Sequence, residues 1–488
     1  MRKILLSIVV VLGFGGLHAQ YSTEALKYSQ TDLLGTAAYV GRAGAIGALG
    51  ADFTAASYNP AGLGMFYSSQ IAITPSIDWA KTNSTYMGNP EDDSRSVFAF
   101  DNAHYLLAYR TGNSTGWKAM QFGMGVNKLR SFNNRTSIEG NLTNTSLLTN
   151  WTEDANNYGG YDAFTSLLAE HCDLISFDTT TGRYSDIFGG NVQPLRQSQY
   201  TVESGGVSEM TMSLSGNYND KLYLGATVGI PFLGYRSTSY YFETPEMMDT
   251  AVGLDEFGFI ESKNISGTGV NLKLGAIYRP IENLRLGFAF HTPTYYQIDE
   301  SYSTTVESKI LVDADQGKFR SSEATSYGLY YYNFRTPLKL LANMAVTMGD
   351  MSSKVAGSLS FDYEYTNYRT MHFSGGDAEY MEQVNDDIKD MFRAAHTFRV
   401  GGTLNITKLL LRAGVLYSTD PYKEEFNKDA SSMALACGIG YQTRTWFVDL
   451  AYAHTEQKDD MAFTANPTDM VTLTNYKNVF VLTLGMKF

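Results

Sequence analysis

Five basic residues, Lys273, Arg279, Arg285, Arg399 and Arg412, fall in segments where every second residue is apolar, near Ile277, Leu410, Leu416, Phe447 and Val481. A cation set into apolar surface suits an amphiphile with an anionic head, because the charge pairs with a carboxylate while the tail leaves water. These five are therefore the candidate ligand-binding set. Each could equally be a strut paired with Asp362, Glu364 or Asp449 on a neighbouring segment, and both readings stand. Material for catalysis is thin. The chain has 7 His, one of them His18 near the start, with no HExxH spacing and no GxSxG. His171-Cys172 lies in a polar stretch and reads as incidental. No catalytic residue, metal site or cofactor is expected, and the chain does not read as an enzyme. The acidic runs Glu91-Asp92-Asp93 and Asp386-Asp387 with Asp390 fall in predicted surface loops. There they are solvated faces or holders of divalent cations beside lipopolysaccharide.

The elements that carry these residues alternate with period two. At the carboxy end Phe480, Leu482, Leu484, Met486 and Phe488 share one face, and Val479, Val481, Thr483, Gly485 and Lys487 share the other. Val270 to Tyr278, Leu284 to Phe290, Val355 to Tyr365, Leu409 to Tyr417 and Trp446 to Tyr452 repeat the pattern. One all-apolar face opposite a face of charged and small residues is what a membrane-crossing β-strand needs, with lipid on one side and a lumen on the other. About fourteen such segments can be counted, the even number of a bacterial single-chain barrel. They start near 69, 96, 117, 205, 221, 265, 283, 325, 353, 394, 409, 431, 444 and 475. Tight links, such as Asn217 to Lys221 and Asn405 to Lys408, alternate with long ones, such as 82–95, 134–204 and 371–393. Sorting of loop length by parity marks a short periplasmic end and a long extracellular end. The fold class expected is all-β, a 14-stranded antiparallel transmembrane barrel over 69–488.

Composition supports this. With 45 Gly, 11 Pro, 34 Tyr and 27 Phe, and no apolar run of about 18 residues past residue 19, helices do not span a membrane. The two Cys, Cys172 and Cys437, could form at most one bridge, so disulfides do not organise the chain. A net charge of −13 argues against nucleic acid as a partner. Residues 1–19 have the layout of a secretory leader: Arg2 and Lys3, an apolar run from Ile4 to Leu17, and Ala19 before a cut.

Residues 20–68 remain to be placed. Between 35 and 64, 16 of 30 residues are Gly or Ala, which packs closely and makes poor strand. Thr23 to Leu34 reads as a short helix, and Asp52 as the N-cap of a turn that Pro60 ends. Tyr39, Val40, Ile46, Leu49, Phe53 and Tyr58 give the segment more apolar content than a tail carries. A barrel of this size has a lumen to fill, so 20–68 is expected to plug it.

The run GRAGAIGALGADFTAASYNPAGLGMF (41–66) resembles the amino-terminal hatch of the FadL family of outer-membrane channels for long-chain fatty acids and other hydrophobic compounds. Its Asn59-Pro60-Ala61-Gly62 matches that family's hatch motif, just before the first strand. The resemblance implies a lumen blocked by the hatch and passive uptake of apolar ligands, which leave through a gap in the wall at the third strand. Gly123 and Gly125 there would permit the kink and are the lateral-gate candidates, with Asn59 bonding to backbone the kink sets free. Implied partners are fatty-acid-like hydrophobic small molecules and outer-membrane lipid with lipopolysaccharide. A second class stays open: a protein-interaction platform of a secretion system, docking a protein partner through extracellular loops, above all the one after the third strand with a helix near Tyr161 to Glu170.

Overall fold

A computed structural model of the chain describes residues 15–140, 143–247, 252–313, 316–349, 355–427, 429–463 and 470–488. Most of the expected leader, 1–14, lies outside them. Residues 15–19 open a helix that runs Gly15–Ser29.

Strand 1 (Gln70–Tyr86), strand 2 (Asn89–Arg110), strand 3 (Trp117–Ser131), strand 4 (Leu195–Tyr218), strand 5 (Leu222–Pro245) and strand 6 (Leu254–Ile281) follow in order. Strand 7 is Leu284–His291 continued by Tyr295–Asp313, and strand 8 is Lys318–Arg335 continued by Lys339–Met348. Strands 9 to 14 are Val355–Asn367, Ala394–Ile406, Leu409–Ser418, Ser432–Gln442, Trp446–Ala462 and Met470–Lys487. Among the described residues the sheet has 18 segments. Asn134–Glu139 extends strand 3, strands 7 and 8 are each two segments, and His372–Ser374 is a loop strand, so 18 less 4 leaves fourteen. All neighbours are antiparallel, and Gln70 pairing with Lys487 closes the cylinder.

The alternation is inverted relative to a water-soluble sheet. On strand 4 Leu214 is 65% exposed while Glu209 is 0% exposed. Ile71, Phe122, Leu274, Leu450 and Phe480 likewise point outward. Large apolar side chains outside and polar ones inside are tolerable only when the outside is lipid.

Each of the fourteen expected segments coincides with a strand, but parts of the long links are strand as well. The stretch 82–95, expected as a loop, is a continuous hairpin in which Thr82 faces Asp93 and Tyr86 faces Asn89. Its turn is Met87-Gly88, both at positive φ (50° and 83°), as a two-residue type I′ turn demands. Alternation of polar with polar residues hides such a ribbon from a hydrophobic pattern. Residues 143–194 make a cap of two helices, Leu147–Tyr158 and Ser166–His171, with a small hairpin. Leu148, Trp151 and Leu168 pack it onto Phe257, Phe259, Val306 and Ile310 of strands 6 and 7. The helix expected near 161–170 is thus the short second one. Cys172, buried in the cap, and the exposed Cys437 are both free. Epitope tags at Gly160 and Gly376 should be reachable by antibody on intact cells, while tags at Asn219 and Thr407, in the tight turns, should not; surface labelling of the second pair would reverse the orientation.

Candidate functional site

The segment before strand 1 lies inside the cylinder. After Ser29 the chain is irregular to Gly35, with bends at Leu33 and Gly35, then makes a helical turn Ala37–Val40 capped by Thr36, and two 3-10 turns. Asp52 caps the first, Phe53–Ser57, through Thr54 N–H at 2.9 Å, as the sequence led one to expect. Asn59 caps the second, Pro60–Met65, through Ala61 N–H. Pro60 at its first position suits a turn whose first N–H has no partner anyway.

The motif Asn59-Pro60-Ala61-Gly62 is held by the wall at strands 5, 6 and 8. Asn59 Nδ2 donates to Gly47 O at 2.7 Å and to Asn343 Oδ1 at 3.3 Å. Gly225 and Gly275 face each other on strands 5 and 6, and a Cβ on either would run into Asn59, Pro60 or Ala61. Gly62 approaches Gly50 in the same way, where a Cβ would meet the Gly50 Cα at 3.0 Å. The small residues are there because backbone meets backbone.

The candidate cations divide by position. Lys273 pairs with Glu209, both buried. Arg399 binds Glu364 at 2.9 Å and donates to Tyr58 OH of the hatch at 2.6 Å. Arg412 binds Asp449 at 2.6 Å. Arg285 donates to Leu49 O of the hatch at 2.8 Å. Arg279 lies near the end of strand 6 and donates to Glu282 O at 2.9 Å. The strut partners Glu364 and Asp449 are therefore engaged as one of the two sequence readings had them. Lys273→Met should lower the unfolding free energy by about 3–5 kcal/mol by leaving Glu209 buried without its cation. Urea unfolding measures it, and adding Glu209→Gln should recover most of the loss.

The wall itself is interrupted between strands 2 and 3. Their ladder runs from Arg110 with Ala119 up to Asn102 with Asn127, and ends there. Beyond it strand 2 pairs only with strand 1, while strand 3 shifts register between Lys128 and Arg130 and stays with strand 4. Phe98 and Phe100 of strand 2 and Val126 of strand 3 still face outward, which puts the parting within the apolar band.

Backbone that strand 3 no longer offers to strand 2 is taken by Asp32 of the hatch, not by Asn59. Asp32 N–H donates to Leu129 O at 2.8 Å, and its carboxylate accepts from Ser131 N–H at 2.9 Å. The same carboxylate binds Arg130 at 3.1 Å and Lys477 of strand 14 at 2.7 Å. No local motif marks Asp32; only the kink it serves gives it a role. Gly123 and Gly125 lie lower, against the hatch. A Cβ on Gly123 would meet the Phe53 ring at 2.9 Å, and one on Gly125 would meet both that ring and Ala103 O at 2.6 Å. Phe53 in turn stacks on His104, ring centres 4.3 Å apart. A polar chain runs from the parting through Ser57 of the inner segment to the neighbouring strand 4: His104 to Asn102 at 2.7 Å, Asn102 to Asn127, Asn127 to Ser57 at 2.8 Å, and Ser57 to Glu209 at 2.7 Å.

Two cavities of ≈ 120 and ≈ 100 Å³ flank the segment Gln30–Leu34. The first reaches Asp78, Arg130 and Lys477 beside the parting, and the second reaches Glu209, Lys273 and His291. Arg399 and Glu364 line both, whereas Arg279, Arg285 and Arg412 line neither.

The chain matches no protein-family model and no curated protein. It does match solved structures. A FadL homologue from Pseudomonas aeruginosa is 15% identical, with TM-score 0.52 over 94% of this chain and 100% of that one. The Pseudomonas putida toluene transporter TodX is 12% identical, with TM-score 0.51 over 94% and 100%. At these identities the likeness is one of fold: a closed barrel with an amino-terminal segment inside.

Proposed function

We propose that this protein is an outer-membrane channel that takes up hydrophobic compounds passively and releases them sideways through its wall into the bilayer. The observation that carries the reading is the loss of pairing between strands 2 and 3 beyond Asn102 and Asn127, inside the apolar band and beside a cavity. An open ladder edge facing lipid is costly, and here the hatch satisfies part of it, so the same segment blocks the lumen and braces the exit. Cavity size bears on the ligand. Both cavities, ≈ 120 and ≈ 100 Å³, are smaller than the apolar cavity of about 150 Å³ that holds benzene and carry charged as well as apolar lining, so passage of a ring or of a fatty-acid tail needs Gln30–Leu34 to move and join them. The cap is packed onto strands 6 and 7 through its own apolar side chains, which favours a lid over a docking platform. The test is transfer of toluene and of a pyrene-labelled fatty acid into vesicles holding the purified protein. Transfer faster than in protein-free vesicles is expected. Transfer of neither compound, with a protein partner held by the loops, would overturn the channel in favour of the platform.

A further inference from the structure

Strands 1 and 2 slip register by one residue where they border the parting. Thr74 faces Asn102, Pro75 faces Phe100, and Asp101 is the extra residue of the bulge. Bulges re-aim a side chain, and this one puts a carboxyl into the wall with 0% exposure. Neither Asp101 oxygen accepts a hydrogen bond. The nearest cation, Lys128 Nζ, is 3.8 Å away and donates to Asp78 at 2.8 Å instead. Ser76 Oγ and Asp78 Oδ1, both buried, are equally without a hydrogen bond. The other charges near are Asp32, Arg130 and Lys477, which are committed to one another.

A buried carboxyl with no donor is among the most expensive groups a protein can hold, and inside a membrane such groups mark function. Closing a wall needs only a small neutral residue here. Asp101 is adjacent to Asn102, the last residue of strand 2 to pair with strand 3, and so stands at the edge of the parting.

We propose that Asp101, with Ser76 and Asp78, is a recognition point for a hydrogen-bond donor on the passing solute. The channel then prefers apolar compounds that carry one hydroxyl group, phenols and long-chain alcohols, over hydrocarbons of the same size. The inference rests on the lateral passage proposed above. Among the described residues no donor is bonded to the Asp101 carboxyl, so a bare hydrocarbon leaves it unbonded and a hydroxyl completes it.

Equilibrium dialysis of full-length protein with 4-pentylphenol and 4-pentylanisole compares one molecule with and without the donor. Wild type should hold the phenol at least about tenfold more tightly, the effect of one hydrogen bond to a buried charged group. Asp101→Leu and Asp101→Asn, checked for folding by heat-modifiable gel mobility, should bring the two ligands close to parity; the isosteric Asn variant carries the test if the Leu variant does not assemble. Equal binding of the two by wild type, or discrimination that survives both substitutions, would overturn this inference and leave the channel intact. Binding of neither compound would remove the channel reading too.

Discussion

Valine at Gly225 and Gly275 together will unseat the hatch and open the barrel to ions. These glycines face each other on strands 5 and 6, and a Cβ on each closes on the Asn59-Pro60-Ala61 backbone and the Asn59 side chain. Overpacking of this kind costs about 1–3 kcal/mol per site, and about 1.4 kcal/mol changes a closed-to-open ratio tenfold. The barrel ladder needs neither glycine, so the strain falls on the hatch. Planar-bilayer conductance should rise well above wild type, and residues 35–64 should become sensitive to protease from the periplasmic side. Gly234→Val is the control, because a Cβ there meets nothing within 4 Å. Wild-type conductance in the double variant would mean that the hatch is not the barrier.

Asp32→Asn will release the brace on the exit. Burial alone would raise the pKa of Asp32, but Arg130 and Lys477 more than reverse this and hold it down to about 2 from an ordinary 3.8. A carboxyl depressed on folding adds stability that is complete above its unfolded value and disappears as pH falls through the folded one. The contribution, about 2 kcal/mol, is therefore present at neutral pH and lost between about pH 4 and pH 2. Wild type should show that acid slope in urea unfolding followed at successive pH values, and Asp32→Asn should lack it. The variant should also pass toluene faster, since Gln30–Leu34 no longer divides the two cavities firmly. An unchanged slope would show that the ion pairs do not brace the segment.

Much of the fold is legible in the sequence because a lipid-facing strand leaves a period-two record that few other environments produce. Met212 and Leu214 outside, with Thr211 and Ser213 inside, read the same from letters as from coordinates. The ribbons beyond the bilayer are not legible, since both faces of Thr82 to Asp93 are polar and the period has nothing to mark. Short-range chemistry at the site is also readable: Asp52 as a cap depends on a neighbour two residues away. Long-range partners are not. Asp32 meets Lys477 across 445 residues, and Asp101 gains its significance from a slip in register that no single strand records. Lys273 and Arg399 read from sequence equally as cations for a ligand and as struts, and the fold commits each to a carboxylate because their strands bring Glu209 and Glu364 alongside.

Strand 6 is 28 residues long, but its outward apolar residues run only from Val270 to Ile281. At ~3.3 Å per residue and a tilt of ~40° such a strand climbs about 70 Å, of which the lipid band takes only ~25 Å. The molecule is thus a chimney standing well above the roof of the membrane. For the outer-membrane channel proposed above, the surroundings at that height are a dense, hydrated sugar brush through which oily molecules travel poorly. A mouth raised above part of that brush moves the point of capture outward, so that the slowest stretch of the journey is made inside protein.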